Sequence, residues 1–216
     1  MNIKKVKAFM NQNTIIPILI IFLVFASIFT KDFLTAQNLL NIFNQNSIKG
    51  IMAIGMTFVI INGYFDMSIV TLLSLTAALA CGLQGSIGVI PAILAAMLAG
   101  ILVGAVNGFL VAHAGINAFV VTLALMLGCR GLSYIYSDAK SIMASDAGFT
   151  AFGSGTIGGF SYISILFIVL VLIAHYVLKY SIHGRNTYAV GGNTHAAFNA
   201  GINCRKTTFI NFVICG

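Results

Sequence analysis

The chain has 216 residues, of which 59% are hydrophobic and 7% charged, and carries a formal net charge of +7. Apolar runs near 20 residues long exclude an ordinary soluble domain and read as membrane helices. The positive charge does not read as a nucleic-acid surface, because no basic patch is interleaved with aromatics and the charges lie between apolar runs.

Lys4, Lys5 and Lys7 precede the apolar run Ile15–Phe29. No small-x-small cleavage site follows and further spans come after, so this run reads as an uncleaved first span. Lys31 and Asp32 end it, and Phe33–Asn46 is a polar, Asn-rich connector. Ser47–Ile61 is a short span, Asn62–Asp66 interrupts, and Met67–Gly82 is a second short span. Ile87–Ala112 is a long span, Gly115–Asn117 a tight turn, and Ala118–Tyr136 the next span. Ser137–Gly159 is a polar loop holding Asp138, Lys140 and Asp146, and Phe160–Leu178 is the sixth span. Thr207–Gly216 spans about 15 Å as a helix, half of the roughly 30 Å hydrocarbon core, and reads as the start of a seventh span in a truncated product or fragment. The expected fold is all-α: a polytopic transmembrane bundle of about six spans plus part of a seventh, forming one domain over 1–216.

Between the sixth and seventh spans lies Ser181–Lys206, rich in Asn and Gly and carrying Arg185, Arg205 and Lys206. A polar stretch of this length must lie in water, since unpaired backbone groups in hydrocarbon cost several kcal/mol each. With the N-terminus inside, Lys4, Lys5, Lys7, Lys179, Arg185, Arg205 and Lys206 face the cytoplasm, and Lys31, Lys49 and Lys140 the exterior. That asymmetry satisfies the positive-inside rule. A re-entrant pair around Asp66 gives the same parity as a crossing pair. The loop reads as the docking place of a second protein.

No GxxxxGK[ST], HExxH or GxSxG motif is present, and no zinc-like Cys/His spacing. No catalytic, cofactor-binding or metal-binding residue is assigned. Gly100, Gly104 and Gly108 form consecutive small-xxx-small steps, a helix-packing face, with Asn107 beside it. Asp66 reads as the cap of a helix starting at Met67, or as a group lining a polar pathway. Asn62, Ser68, Asn107, Thr122 and Arg130 join it as candidates for the pathway and the helix break. Arg130 snorkels to the interface or pairs within the bundle, and Thr122 bonds a helix carbonyl.

Four stretches carry a family resemblance. They are Gly50-x-x-Ala53-x-Gly55-Met56-Thr57-Phe58-Val59-Ile60 running into Asp66-x-Ser68; Gly104-x-x-Asn107-Gly108; Ala118-Phe119-x-x-Thr122-Leu123 running into Arg130-Gly131; and Gly184-Arg185-x-x-Tyr188-Ala189-x-Gly191-Gly192-Asn193 with Ala196-Ala197 and Gly201-Ile202. Together they resemble the membrane permease subunit of ribose-type, simple-sugar ABC importers. The resemblance implies a multi-pass inner-membrane protein working with a second permease subunit, a cytoplasmic ABC ATPase and a periplasmic sugar-binding protein. With the GxxxxGK[ST], HExxH and GxSxG motifs absent, no enzymatic activity and no cofactor are expected in this chain. The resemblance also makes a short helix within Asn193–Ala200 the coupling helix seated in the ATPase. Gly184, Arg185, Gly191, Gly192, Asn193, Ala196, Ala197 and Gly201 are its coupling residues, with Gly191-Gly192 freeing the backbone before the helix. A non-transporting membrane scaffold and an ion-coupled secondary transporter remain the alternatives.

Overall fold

The computed structural model describes residues Ile15–Gly216, so the expected placement of Lys4, Lys5 and Lys7 lies outside the described residues. The chain divides into two compact units, Met1–Asn46 and Ser47–Gly216. In the first, α1 (Ile15–Phe29) has no buried residue, and α2 (Ala36–Ile61) begins. The Asn-rich connector expected up to Asn46 is therefore mostly helix. Its polar side chains are satisfied locally: the Asn38 amide donates to the Phe33 carbonyl at 2.8 Å, and that of Asn46 to the Ile42 carbonyl at 2.8 Å. Lys49, expected to face the exterior at the start of a short span, lies midway along α2.

In the second unit, α2 ends at Ile61 because Gly63 takes φ +87°. The Gly63 N–H donates to the Ile60 carbonyl (2.9 Å) and the Tyr64 N–H to that of Val59 (3.0 Å), which is a Schellman stop. The chain resumes as α3 (Ile69–Gly82), not at Met67, followed by the single turn α4 (Gln84–Ile87). Then come α5 (Val89–Ala112) and α6 (Ala118–Ser137), whose N-cap Asn117 accepts from the Phe119 N–H. The expected loop 137–159 contains a helix, α7 (Ala147–Ser154), capped by Asp146. It ends in a two-residue antiparallel pair, β1 (Thr156–Ile157) with β2 (Phe160–Ser161). The long helix α8 (Tyr162–Tyr180) follows.

The polar stretch 181–206 is not an open loop. It folds as α9 (Ile182–Gly192), α10 (Thr194–Asn199) and the start of α11 (Cys204–Cys215). Its polar residues cap helices: Ser181, Asn193 and Asn203 accept from the N–H groups of Gly184, Ala196 and Lys206.

Among the described residues, four segments are long and apolar enough to cross a membrane: Ile69–Ile87, Val89–Ala112, Ala118–Ser137 and Tyr162–Tyr180. The side-chain distribution is that of a protein in lipid. On α5 most of the buried residues are small (Ala92, Ala96, Gly100, Gly104 and Gly108, beside Asn107 and Val111), whereas Ile90, Leu94, Met97, Leu98 and Phe109 face outward. With no hydrophobic drive between helices in hydrocarbon, close backbone packing takes its place. That face of α5 lies on α11. A methyl built on Gly104 would come within 2.5 Å of the Phe212 carbonyl oxygen, and one on Gly108 within 2.9 Å of that of Phe209. On Gly100 it would meet the Gly216 carbonyl oxygen at 2.5 Å.

Candidate functional site

Two polar clusters interrupt this apolar bundle, and both involve residues near or on α11. The first forms at the break between α2 and α3. Asp66 Oδ1 accepts from the Ser68 N–H (2.8 Å) and the Ser68 hydroxyl (2.6 Å). The Asn107 amide of α5 donates to Ser68 Oγ (2.9 Å) and to Asp66 Oδ2 (3.3 Å). Asp66, Ser68 and Asn107 are all buried. Asp66 is not the N-cap of α3. The cap position is Ser68, which makes no side-chain cap bond, and Asp66 stands two residues upstream, holding Ser68 in place. Asn107 lies five residues before the end of α5, so the cluster sits about 8 Å inside that helix end.

Asn62 belongs elsewhere. Its amide donates to the Thr208 hydroxyl of α11 at 2.8 Å. The carbonyl oxygens of Asn62 and Asn107 and the amide nitrogen of Asn211 are buried without a partner among the described residues. Unpaired buried groups of this kind are rare and call for a functional or solvent-related explanation.

The second cluster ties α9 to α11. His183 Nε2 and Asn211 Oδ1 are 2.7 Å apart, and the Thr187 hydroxyl lies 3.3 Å from the same oxygen. Nearby, Gly191 sits inside α9 with its Cα turned onto the end of α2; a methyl there would overlap the Ile61 carbonyl oxygen. Gly184 likewise has the Val177 and Leu178 carbonyls where a side chain would be. These glycines allow backbone contact. The expectation that Gly191-Gly192 frees the backbone before a helix is thus corrected, since both residues are helical. Arg185 donates to the Tyr180 carbonyl at 3.1 Å, closing the C-terminal end of α8.

The short helix α10 is capped by Asn193 and followed by Gly201 at φ +82°. Ala197 is 4% exposed and faces its own chain, whereas Phe198 is 71% exposed. Ala196 is also exposed. Thr122 is buried, with its hydroxyl on the Ala118 carbonyl at 2.8 Å, and Arg130 is exposed over the Tyr134 ring at 5.8 Å. Neither hydrogen-bonds to the Asp66 cluster. Sequence reasoning missed His183, Thr187, Thr208 and Asn211. The available signal was the spacing of polar groups one helical turn apart, His183 to Thr187 and Thr208 to Asn211.

An apolar bundle with four span-length helices, a broken helix and a buried polar break is that of a multi-pass membrane protein. Specifically, the chain belongs to the family described as the permease component of the branched-chain amino acid transport system, whose profile matches residues 38–216. It is 34% identical over 215 residues to the ribose import permease protein RbsC of Escherichia coli K12, covering 96% of this chain and 66% of that one. It is 32% identical over 207 residues to the L-arabinose ABC transporter permease protein AraH of Azospirillum brasilense, covering 95% and 61%. To the D-allose transport system permease protein AlsC of Escherichia coli K12 it is 33% identical over 201 residues, covering 91% and 61%. The chain thus spans about two thirds or less of the length of these relatives. No solved structure matches it.

Proposed function

We propose that this chain is the membrane permease subunit of an ATP-driven importer of ribose-type sugars. Its relatives carry ribose, L-arabinose and D-allose in their names, and they align over more than nine tenths of the chain. The proposed assembly contains a second permease subunit, a cytoplasmic ABC ATPase and a periplasmic sugar-binding protein, in the inner membrane. The chain acts as one permease domain over 1–216. In this reading the N-terminus is inside, α1, α2, α3 with α4, α5, α6 and α8 are six crossings, and α11 begins a seventh. Lys179, Arg185, Arg205 and Lys206 then lie inside, and Lys31 and Lys140 outside. The Asp66–Ser68–Asn107 break is a polar element of the translocation pathway.

The observation that carries the coupling role is α10 itself. It is a short helix capped by Asn193 and followed by Gly201, lying between α9 and α11, with an exposed aromatic side chain. Phe198 is therefore the contact residue for the ATPase, and Ala197 supports it from within. Through Gly191 on Ile61, and His183 on Asn211, a push on this region reaches α2 and α11.

Phe198→Glu tests this. The residue is exposed, so the chain keeps its fold and membrane level. Loss of a buried aromatic anchor costs about 2 kcal/mol or more, roughly thirty-fold in affinity. Recovery of the ATPase with the tagged permease falls accordingly, and Phe198→Leu retains most of it. Full ATPase recovery with Phe198→Glu contradicts the docking assignment.

A further inference from the structure

A third polar feature begins beside the first cluster. Between α3 and α6 is a groove of about 380 Å³ lined by Thr71, Ser74, Arg130, Ser133, Tyr134 and Ser137, with Lys140 at its rim. Its volume falls within the range of small-molecule sites, about 300–1,000 Å³. The face is continuous along each helix. Ser68, at the cap of α3, and Thr71 and Ser74 on it recur every third residue, and Arg130, Ser133 and Ser137 follow at three- and four-residue steps on α6. Thr71 binds the Ser68 carbonyl at 3.0 Å, so the inner end of the groove adjoins the buried Asp66–Asn107 break.

The hydroxyl groups show what kind of surface this is. Most hydroxyls on these helices bond their own backbone, two of the groove's among them: Thr71 on Ser68 (3.0 Å) and Ser137 on Tyr134 (3.4 Å), as Thr57 on Ala53 (2.6 Å), Thr76 on Leu72 (3.0 Å) and Thr122 on Ala118 (2.8 Å) elsewhere. That back-bonding satisfies a hydroxyl without water. Among the described residues Ser74 and Ser133 make no such bond, although each sits inside a helix long and apolar enough to span the membrane. A hydroxyl without a protein partner is disfavoured against hydrocarbon and favoured against water or a polar ligand. The groove is therefore built for a polar occupant.

Charge narrows the choice. Lys140 is paired with Asp138, which leaves Arg130 as the groove's one cation without an acidic partner among the described residues. A single guanidinium among hydroxyls, with a tyrosine ring beneath it, suits a neutral polyol. It offers five N–H donors to sugar oxygens, and the ring an apolar face for sugar C–H groups. An anionic lipid headgroup would be better served by two free cations.

Building on the proposed import function, we infer that this groove is the outer, water-filled leg of the sugar pathway, leading from Ser137 through Arg130, Ser133 and Ser74 to the break at Asp66. The test uses cells producing the chain with Ser74→Cys, Ser133→Cys or Leu132→Cys, treated from outside with a membrane-impermeant methanethiosulfonate. The unsubstituted chain gives the baseline. Cysteines at 74 and 133 should react about tenfold faster than one at 132, because the thiolate is the nucleophile and apolar surroundings suppress it. In parallel, Ser133→Phe should reduce uptake of labelled D-ribose, L-arabinose or D-allose to background at unchanged membrane level, while Leu132→Phe leaves uptake intact. Equal labelling at 132 and 133, or normal uptake by Ser133→Phe, overturns the inference and leaves the import function standing. If the unsubstituted chain imports none of the three sugars, the import function fails, and the sugar assignment of the groove with it, whatever the labelling shows.

Discussion

Gly104→Leu is expected to abolish recovery of a folded, monodisperse chain from detergent. In the native packing even a single methyl at this position would meet the Phe212 carbonyl oxygen at 2.5 Å and Val213 Cα at 3.1 Å. These are backbone atoms of α11, so no side-chain rotation relieves the overlap. The helices must separate, and Gly100 and Gly108 then lose their close contacts as well. Overpacking of a close interface costs about 1–3 kcal/mol, occasionally more, and a leucine wedged between two backbones belongs at the upper end. Gly104→Ala should be destabilising by a smaller amount. A methyl added to Gly128 on α6 would have nothing within 4 Å, so Gly128→Ala provides the contrast and should not lower stability. Equal thermal stability of Gly104→Leu and Gly128→Ala would show that α5 and α11 are not in backbone contact.

Asp66→Leu carries the second large effect, and comparison with Asp66→Asn gives it meaning. The carboxylate satisfies the Ser68 N–H, the Ser68 hydroxyl and the Asn107 amide, all buried. Leucine leaves these donors unmatched at about 1–3 kcal/mol for each group left unsatisfied, enough to undo the turn into α3. Asparagine keeps an oxygen for both Ser68 donors. Its NH2 group would face the Asn107 amide, but Asn107 has a free carbonyl oxygen and can turn to accept. Asp66→Asn should therefore retain most of the stability and of the sugar uptake, and Asp66→Leu little of either. Equal loss in the two variants would mean that the negative charge, and not hydrogen-bond geometry, is what the break needs.

These expectations also indicate what local pattern can and cannot reveal. The apolar runs make α3, α5, α6 and α8 legible within a few residues, because lipid demands length and continuity. The Asn-Gly pair at 62–63 signals where α2 stops, and Gly63 does stop it with a left-handed residue. The three glycines of α5 are visible as a face, yet nothing in their spacing says that α11 covers it. Polar composition misleads in two places. The Asn-rich start of α2 and most of the stretch 181–206 read as connectors, but their Asn and Ser side chains bond the local backbone and so support helices. The same composition hides which side of α10 faces out. Ala197 and Phe198 are adjacent in sequence, and only the packing of α10 against its own chain turns one inward and the other outward. The α9–α11 link through His183 and Asn211 joins residues 28 apart, which periodicity alone does not reach.

As proposed, the chain forms the membrane path of an ATP-driven sugar importer. Uptake of labelled D-ribose, L-arabinose and D-allose by cells producing it, with ATP and the ion gradients depleted separately, distinguishes this from the alternatives. Uptake of at least one sugar should stop when ATP is exhausted and continue when an ionophore collapses the proton and sodium gradients. Uptake that survives ATP depletion and stops with the ionophore would make the chain an ion-coupled transporter, and no uptake with ATP present would make it a scaffold; either result contradicts the account.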